Sequence, residues 1–166
     1  MIDYPKGSYL KGDARSINRL YKQPFDAIII SMLFPSMDNL KDIRKVLDES
    51  RKCMKKDGTL LVAVTHPSFD HYMQSFLFQR KDVRADFRGY FSSGSKFEMD
   101  QQINGVPFRF EDYHWILSDY IETIQKAGLH LIVIDECLTT AQTPEDKEWV
   151  EKRNNIPSYL VFVLKK

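Results

Sequence analysis

Four side chains in this sequence have the type and setting needed to move a proton: His66, His114, Tyr90 and Tyr113. His66 closes the run Val64-Thr65-His66-Pro67, directly after an apolar stretch that reads as a strand. Ligand sites in open α/β sheets lie beyond the carboxyl ends of such strands. His114 stands in Tyr113-His114-Trp115, on the approach to an amphipathic segment. A histidine or tyrosine so placed can take a proton from a hydroxyl or an amine. The structural alternatives are a strand-end histidine bonded to backbone beside Pro67, and a histidine packed with Trp115. His71 and His130 read as structural, and no His/Cys/carboxylate set has metal-ligand spacing. Cys53 and Cys137 read as small buried hydrophobes rather than a redox pair.

The elements that must position these groups centre on residues 25–67. Asp26-Ala27-Ile28-Ile29-Ile30-Ser31-Met32 is a nearly unbroken β-branched run, the pattern of a parallel strand covered on both faces in the middle of a sheet. From Asp38 onwards Leu40, Ile43, Val46, Leu47 and Met54 recur mostly at three or four, with Lys41, Arg44, Lys45, Asp48 and Glu49 between them. That spacing predicts an amphipathic helix, with Ser36 or Asp38 as its cap, Lys52, Lys55 and Lys56 at its negative end and Asp57-Gly58 as its stop. Thr59–Val64 then reads as a second buried strand, completing a right-handed strand-helix-strand unit. Its carboxyl ends are Ser31-Met32-Leu33-Phe34 and Thr65-His66-Pro67.

Upstream, residues 1–7 read as a lead-in, Ser8–Lys11 as at most a short strand, Gly12–Arg15 as a turn and Ser16–Tyr21 as one helical turn. Between Phe69 and Trp115 the periodicity gives way to a concentration of more than half the chain's aromatic residues. Within this excursion the pattern predicts a helix over Ser68–Phe78. It also predicts a hairpin-like pair, Phe87–Ser92 with Lys96–Ile103, turning at Ser93-Gly94-Ser95, with Asn104-Gly105 as a second turn. Such a segment beginning at a strand's carboxyl end is expected to be a lid over an apolar pocket, lined in part by Tyr90 and Tyr113. Further on, Ser118 to Gly128 reads as a helix, Leu129–Ile134 as a strand, the stretch from Thr143-Pro144 as a short helix and Ser158–Leu164 as a last strand. That last strand is expected to pair antiparallel, between its predecessors.

The 166 residues are 43% hydrophobic with a formal charge of +1, which suits one ordinary globular domain with a real core. No basic stripe of the kind nucleic acid requires is present, no segment approaches membrane-spanning length and residues 1–20 hold no signal core. The expectation is a cytoplasmic protein with neither nucleic acid nor membrane as partner.

The order of these elements carries a resemblance. Gly12-Asp13-Ala14, Phe25 to Ile30, Leu47 to Lys55-Lys56-Asp57-Gly58, Val64-Thr65-His66-Pro67, Tyr113 to Tyr120 with Ala127-Gly128-Leu129, and Ile156 to Phe162 together resemble class I S-adenosylmethionine-dependent methyltransferases. The resemblance implies an α/β, Rossmann-like methyltransferase sheet, incomplete because its first two strands are missing. It also implies an aromatic-rich lid insertion over 69–115 and an antiparallel last strand, in a single partial domain over 1–166. The glycine-rich loop that cradles the cofactor's methionine part in that family has no counterpart here, since the glycines at 7, 12, 58, 89, 94, 105 and 128 make no G-x-G after a strand.

The cofactor implied is S-adenosylmethionine. Asp13 and Ala14 match the positions that meet the adenine, and Ser31, Met32 and Leu33 match the strand end beside the methionine chain and sulfur. His66 and His114 become the candidate catalytic groups, Tyr90 and Tyr113 the candidate substrate-binding groups, and the acceptor a small, partly apolar molecule. Methyl transfer rests largely on positioning, so no triad is required. With the glycine loop missing, the chain alone is expected to bind cofactor weakly or not at all. It is expected to work as a homodimer joined near the exposed Ile28–Ile30 edge, or with its amino-terminal third supplied by another chain. The competing readings are a non-catalytic remnant that oligomerises and, further off, a nicotinamide-dependent dehydrogenase.

Overall fold

The computed structural model describes residues 7–69, 83–85, 89–138, 140, 143–144, 147–153 and 157–166. Its main sheet has four strands: β1 (Phe25–Ser31), β2 (Met54–Thr65), β6 (His130–Cys137) and β7 (Tyr159–Lys165), in the spatial order β1-β2-β7-β6. β1 and β2 are parallel, with Ile28 opposite Leu60 and Ile30 opposite Val62. β7 inserts between β2 and β6 and runs antiparallel to both, as its sequence position suggested.

Between β1 and β2 lies α1 (Leu40–Cys53), whose cap is Asn39 rather than Ser36 or Asp38: the Asn39 side-chain oxygen accepts from the Asp42 N–H at 2.8 Å. The helix does not run on to Asp57-Gly58. Met54 is already extended and opens β2, so Lys55 and Lys56 lie on a strand instead of at the helix end. Gly58 serves a different purpose. The register slips between Phe25 and Ala27, and a Cβ at Gly58 would come within 3.0 Å of the Phe25 carbonyl oxygen. A glycine is what lets the two backbones approach so closely.

Alternation along the strands decides which face is core. Leu60, Val62 and Val64 of β2 and Leu160, Phe162 and Leu164 of β7 are buried against Ile43, Val46 and Leu47 of α1 and against Tyr120 and Ile124 of α2 (Leu117–Lys126). Each such aliphatic side chain contributes about 1.5–3 kcal/mol by leaving water. The opposite face carries a row across all four strands, Ile29-Leu61-Val163-Val133, in register. Its outer members are 70% and 46% exposed. β1 is therefore not covered on both faces, and among the described residues it pairs with β2 alone.

A second, antiparallel sheet holds β3 (Val83–Ala85), β4 (Lys96–Ile103) and β5 (Val106–Tyr113), in that order. Of the expected pairing of Phe87–Ser92 with Lys96–Ile103, residues 87–88 lie outside the described residues and 89–92 do not pair with β4, which has β3 on one edge and, in a hairpin about Asn104-Gly105, β5 on the other. Both turn residues have positive φ, 51° and 78°, the two-residue turn whose twist matches that of the strands. Residues 89–95 are turns folded against the base of the hairpin instead. One face of the hairpin holds the ion pairs Lys96–Glu111 and Arg109–Asp100, and the other holds Phe97 and Phe110. Asp112 shares the apolar face, and burial pushes its carboxyl above the usual carboxylate range. Of the helix expected over Ser68–Phe78, residues 67–69 are helical and the rest lies outside the described residues.

Two smaller expectations fail at the amino-terminal side. Ser8–Lys11 forms no strand, and the helical turn is a 3-10 helix over Ala14–Arg19 rather than Ser16–Tyr21. Its start is moved forward because the Asp13 side chain caps it, accepting from the Arg15 N–H. α3 (Lys147–Arg153) precedes β7.

Candidate functional site

Three elements meet at the carboxyl end of β1. Met32 leaves the strand in the left-handed region, φ 54°, while its N–H still donates to the Ala63 carbonyl at 2.9 Å. The chain then turns through a 3-10 helix, Phe34–Ser36, anchored by the buried Phe34 and by Ser36 Oγ donating to the Leu33 carbonyl at 2.8 Å. Against this turn lie the capped start of the first 3-10 helix and the last residues of β5. The Trp115 indole N–H donates to the Met37 carbonyl at 3.1 Å and ties the end of the excursion to the turn.

Between them opens a cleft of about 520 Å^3, lined by Gly12, Asp13, Ala14, Arg15, Leu33, Ser36, Met37, Asp38, Asp42, Glu111 and Tyr113. The volume falls within the range of small-molecule sites. Four of the eleven lining residues are carboxylates facing one guanidinium, so the cleft is acidic. Hydrogen bonds from Arg15 hold the Asp13 carboxyl below its usual range, and Asp13 with Asp42 raises the Arg15 guanidinium in turn. A hollow of about 620 Å^3 beside Phe108 and Arg109 is larger, but it lies along the β4–β5 hairpin and no residue of the main sheet lines it.

Asp13, Ala14, Leu33 and Tyr113 are thus brought together. Ser31 and Met32 are at the adjoining strand end, exposed, but outside the lining of the cleft. Tyr90 is elsewhere: its hydroxyl accepts from the Leu117 N–H at 3.2 Å, and its ring stands edge-on to His114 at 5.8 Å. His114 is 0% exposed, with its Nε2 donating to the Tyr90 carbonyl at 2.6 Å, and in this arrangement it offers no atom to an acceptor. The sequence placed it among the catalytic candidates because burial cannot be read from a Tyr-His-Trp triplet. His66 is 6% exposed, and both of its ring nitrogens are engaged. Nδ1 accepts from the Ser68 N–H at 3.1 Å, which leaves Nε2 to donate to Glu136 Oε1 at 3.0 Å. It acts as the cap of the turn at 67–69 rather than as a free base.

Arg15, Met37, Asp38, Asp42 and Glu111 were not singled out from sequence as site residues. Glu111 had a signal, since it sits two positions from Tyr113 on a strand and so shares its face. Among the described residues no three ligating side chains converge on a metal position.

The arrangement of strands is shared with proteins of known structure. A structure from Listeria monocytogenes described as an S-adenosylmethionine-dependent methyltransferase matches with a TM-score of 0.58 at 18% identity, over 87% of this chain and 62% of that one. One from Mesorhizobium loti matches at 0.59 with 11% identity, over 88% and 63%. The fold is that of the class I S-adenosylmethionine-dependent methyltransferases. A glycopeptide N-methyltransferase solved with S-adenosylmethionine also matches, at a TM-score of 0.55 and 9% identity, over 92% of this chain and 57% of that one. The chain spans about three-fifths of the methyltransferase structures it matches. No protein-family model matches the sequence, and neither does any curated protein. Among the described residues no helix is long and apolar enough to cross a membrane.

The cleft's residues fit part of S-adenosylmethionine. Asp13 offers a carboxylate acceptor, and Ala14 opens a 3-10 helix, where first-turn amides lack partners within the helix. Leu33 and Met37 add apolar surface. Backbone donors of a glycine-rich loop for the methionine part are not found among the described residues.

Proposed function

We propose that this chain is the acceptor-side part of an S-adenosylmethionine-dependent methyltransferase that acts on a small, partly apolar acceptor in the cytoplasm. The observation that carries the reading is the single cleft in which Asp13, Ala14, Leu33 and Tyr113 converge at the carboxyl end of β1, within a methyltransferase fold. When bound, the cofactor supplies a methyl group on a sulfonium, ready for in-line displacement. Asp13 accepts from the adenine amino group, the Ala14 amide donates to the ring, and Leu33 packs beside the methionine chain. Tyr113 stands at the cleft wall to orient the acceptor and to receive its proton if it is a hydroxyl or amine. With no glycine-rich loop among the described residues to cradle the methionine part, the residues of this cleft by themselves are expected to hold the cofactor weakly.

Titration with S-adenosylhomocysteine tests this. The expected result is saturable shifts at Asp13, Ala14 and Leu33 with a dissociation constant in the millimolar range, about 4 kcal/mol. A micromolar constant, about 8 kcal/mol, would show that the chain holds a complete cofactor seat. No saturable shift at any concentration would sink the reading.

A second reading, a non-catalytic remnant that works by oligomerising, is favoured by β1, which among the described residues pairs with β2 alone, and by the exposed ends, Ile29 and Val133, of the row on the outer face. An apolar edge without lysine or proline recruits another strand. On this reading β1 pairs with β1 of a second copy about a two-fold axis. Ile29→Lys is then expected to convert a dimer to a monomer at tens of micromolar in light scattering, with the core strands still protected from exchange. A wild-type chain that is already monomeric there would remove this reading.

A further inference from the structure

Of the four carboxylates on the β4–β5 hairpin, three are paired: Glu98 and Glu111 meet Lys96 at 3.1 and 2.9 Å, and Asp100 meets Arg109 at 2.7 Å. Asp112 is the fourth. Among the described residues its carboxyl has neither an ion pair nor a hydrogen bond, and it is half-buried on the face opposite to the one from which Glu111 and Tyr113 line the cleft. A carboxylate that loses water without gaining a partner is costly, and its presence calls for a cation from outside the hairpin.

The surroundings narrow what that cation can be. Alternation along β5 sets Phe108 and Phe110 on the Asp112 face, and Phe97 stands directly opposite Asp112 on β4. The Phe108 and Phe110 rings lie 4.5 Å apart at 54°, an open angle rather than a parallel stack, and Phe108 is 50% exposed. A group resting on Phe110 has Asp112 on one side and Phe108 on the other, each about 6–7 Å along the strand.

We propose that Asp112, Phe110 and Phe108 form a binding site for a small organic cation with apolar substituents, an alkylated ammonium. The carboxylate supplies the counter-charge, and the ring faces, which carry negative potential, take the alkyl groups over which the positive charge is spread. A metal ion is a poor occupant, because among the described residues no three ligating side chains converge. So is a neutral apolar molecule, since it would shut out water and leave the carboxylate unpaired. The site does not depend on the cofactor reading, because β5 lines the cleft from its other face.

The experiment titrates the full chain, without cofactor, with choline and with 3,3-dimethyl-1-butanol, the neutral molecule of the same shape, and follows the amide shifts of β4 and β5. Choline is expected to give saturable shifts at Phe97, Phe110 and Asp112 in the millimolar range, with the neutral alcohol about tenfold weaker, the range of one contact to a charged group. Asp112→Asn is expected to remove that preference, and Phe108→Ala to weaken choline by about threefold, the size of an exposed cation–ring contact. Asp112→Glu keeps the charge and is expected to keep most of the preference, which separates loss of charge from loss of the hairpin. Only the ionised carboxyl holds a cation, and burial raises its titration range, so choline binding by wild type is expected to weaken as pH falls through that range, while binding by Asp112→Asn stays flat. Equal binding of the two molecules, no saturable shift with choline, or a preference that survives in Asp112→Asn would each overturn the proposal. So would an Asp112→Glu chain that loses the preference as fully as Asp112→Asn.

Discussion

Phe162→Ala is expected to destabilise the protein by about 3–5 kcal/mol, the range for a large aromatic removed from a core. Phe162 is fully buried on β7, the strand shared by both of its neighbours, where it faces Val62 on one side and Ile134 on the other. Its ring lies 5.8 Å from that of Tyr120, which stacks at 6.5 Å on Phe34. That line of rings runs from the middle of the sheet, through α2, to the turn that carries Leu33 into the cleft. Truncation therefore leaves a cavity in the core and removes the support beneath the Phe34 anchor. Urea unfolding measures the first effect, and a fall in S-adenosylhomocysteine affinity in the folded fraction measures the second. A loss below about 1 kcal/mol would mean that the core collapses onto the gap and that the ring stack carries no strain to the site.

His114→Ala is the second change with a large expected effect, about 3 kcal/mol, from the void it leaves and from a half-buried Tyr90 carbonyl losing a donor. Around His114 the chain is cross-tied: its N–H donates to the Ser95 carbonyl at 2.9 Å and its carbonyl accepts from the Gly94 N–H at 2.7 Å. Gly94 has φ 81°, and a Cβ there would meet the Trp115 ring at 3.5 Å. Loss of the imidazole should therefore loosen residues 89–95 and 113–117 together, and hydrogen exchange across those two segments should accelerate while the β2 core is unchanged. His114→Asn, which keeps a side-chain donor in less volume, is expected to recover part of the stability. Unchanged stability together with lost methyl transfer would instead return His114 to the groups that handle the acceptor.

The local elements were largely written in the sequence. The β-branched run at 26–32 became β1, the three-and-four spacing of Leu40, Ile43, Val46 and Leu47 became α1, and the alternation in Leu160, Phe162 and Leu164 became the buried side of β7. These signals are strong because a helix or a strand repeats its core-facing positions at a fixed period. The antiparallel insertion of β7 could be anticipated from the order of elements. What periodicity could not decide was partnership. Lys96–Ile103 has two edges: the positive φ that Asn104-Gly105 tolerates gives one of them to Val106–Tyr113, and the other is taken by Val83–Ala85, further back in the chain than the expected Phe87–Ser92.

The site divides the same way. The family resemblance marked Asp13, Ala14 and Leu33, residue type marked Tyr113, and the tertiary structure gathered all four in one cleft. The same types marked His66 and His114, yet burial and backbone hydrogen bonds give both of them structural work. A histidine's availability depends on what its two nitrogens meet in space, which no local pattern records. Arg15 shows the converse. Its bond to Asp13 is local and could have been read from a spacing of two, whereas its bond to Asp42 exists only because β1 and its turn bring the start of α1 beside the first 3-10 helix. Sequence by itself determined where β1, α1, β2, α2, β6 and β7 form, because those follow from short-range periodicity. Tertiary structure alone decided which polar groups are free to meet a ligand, because that depends on contacts between residues far apart in the chain.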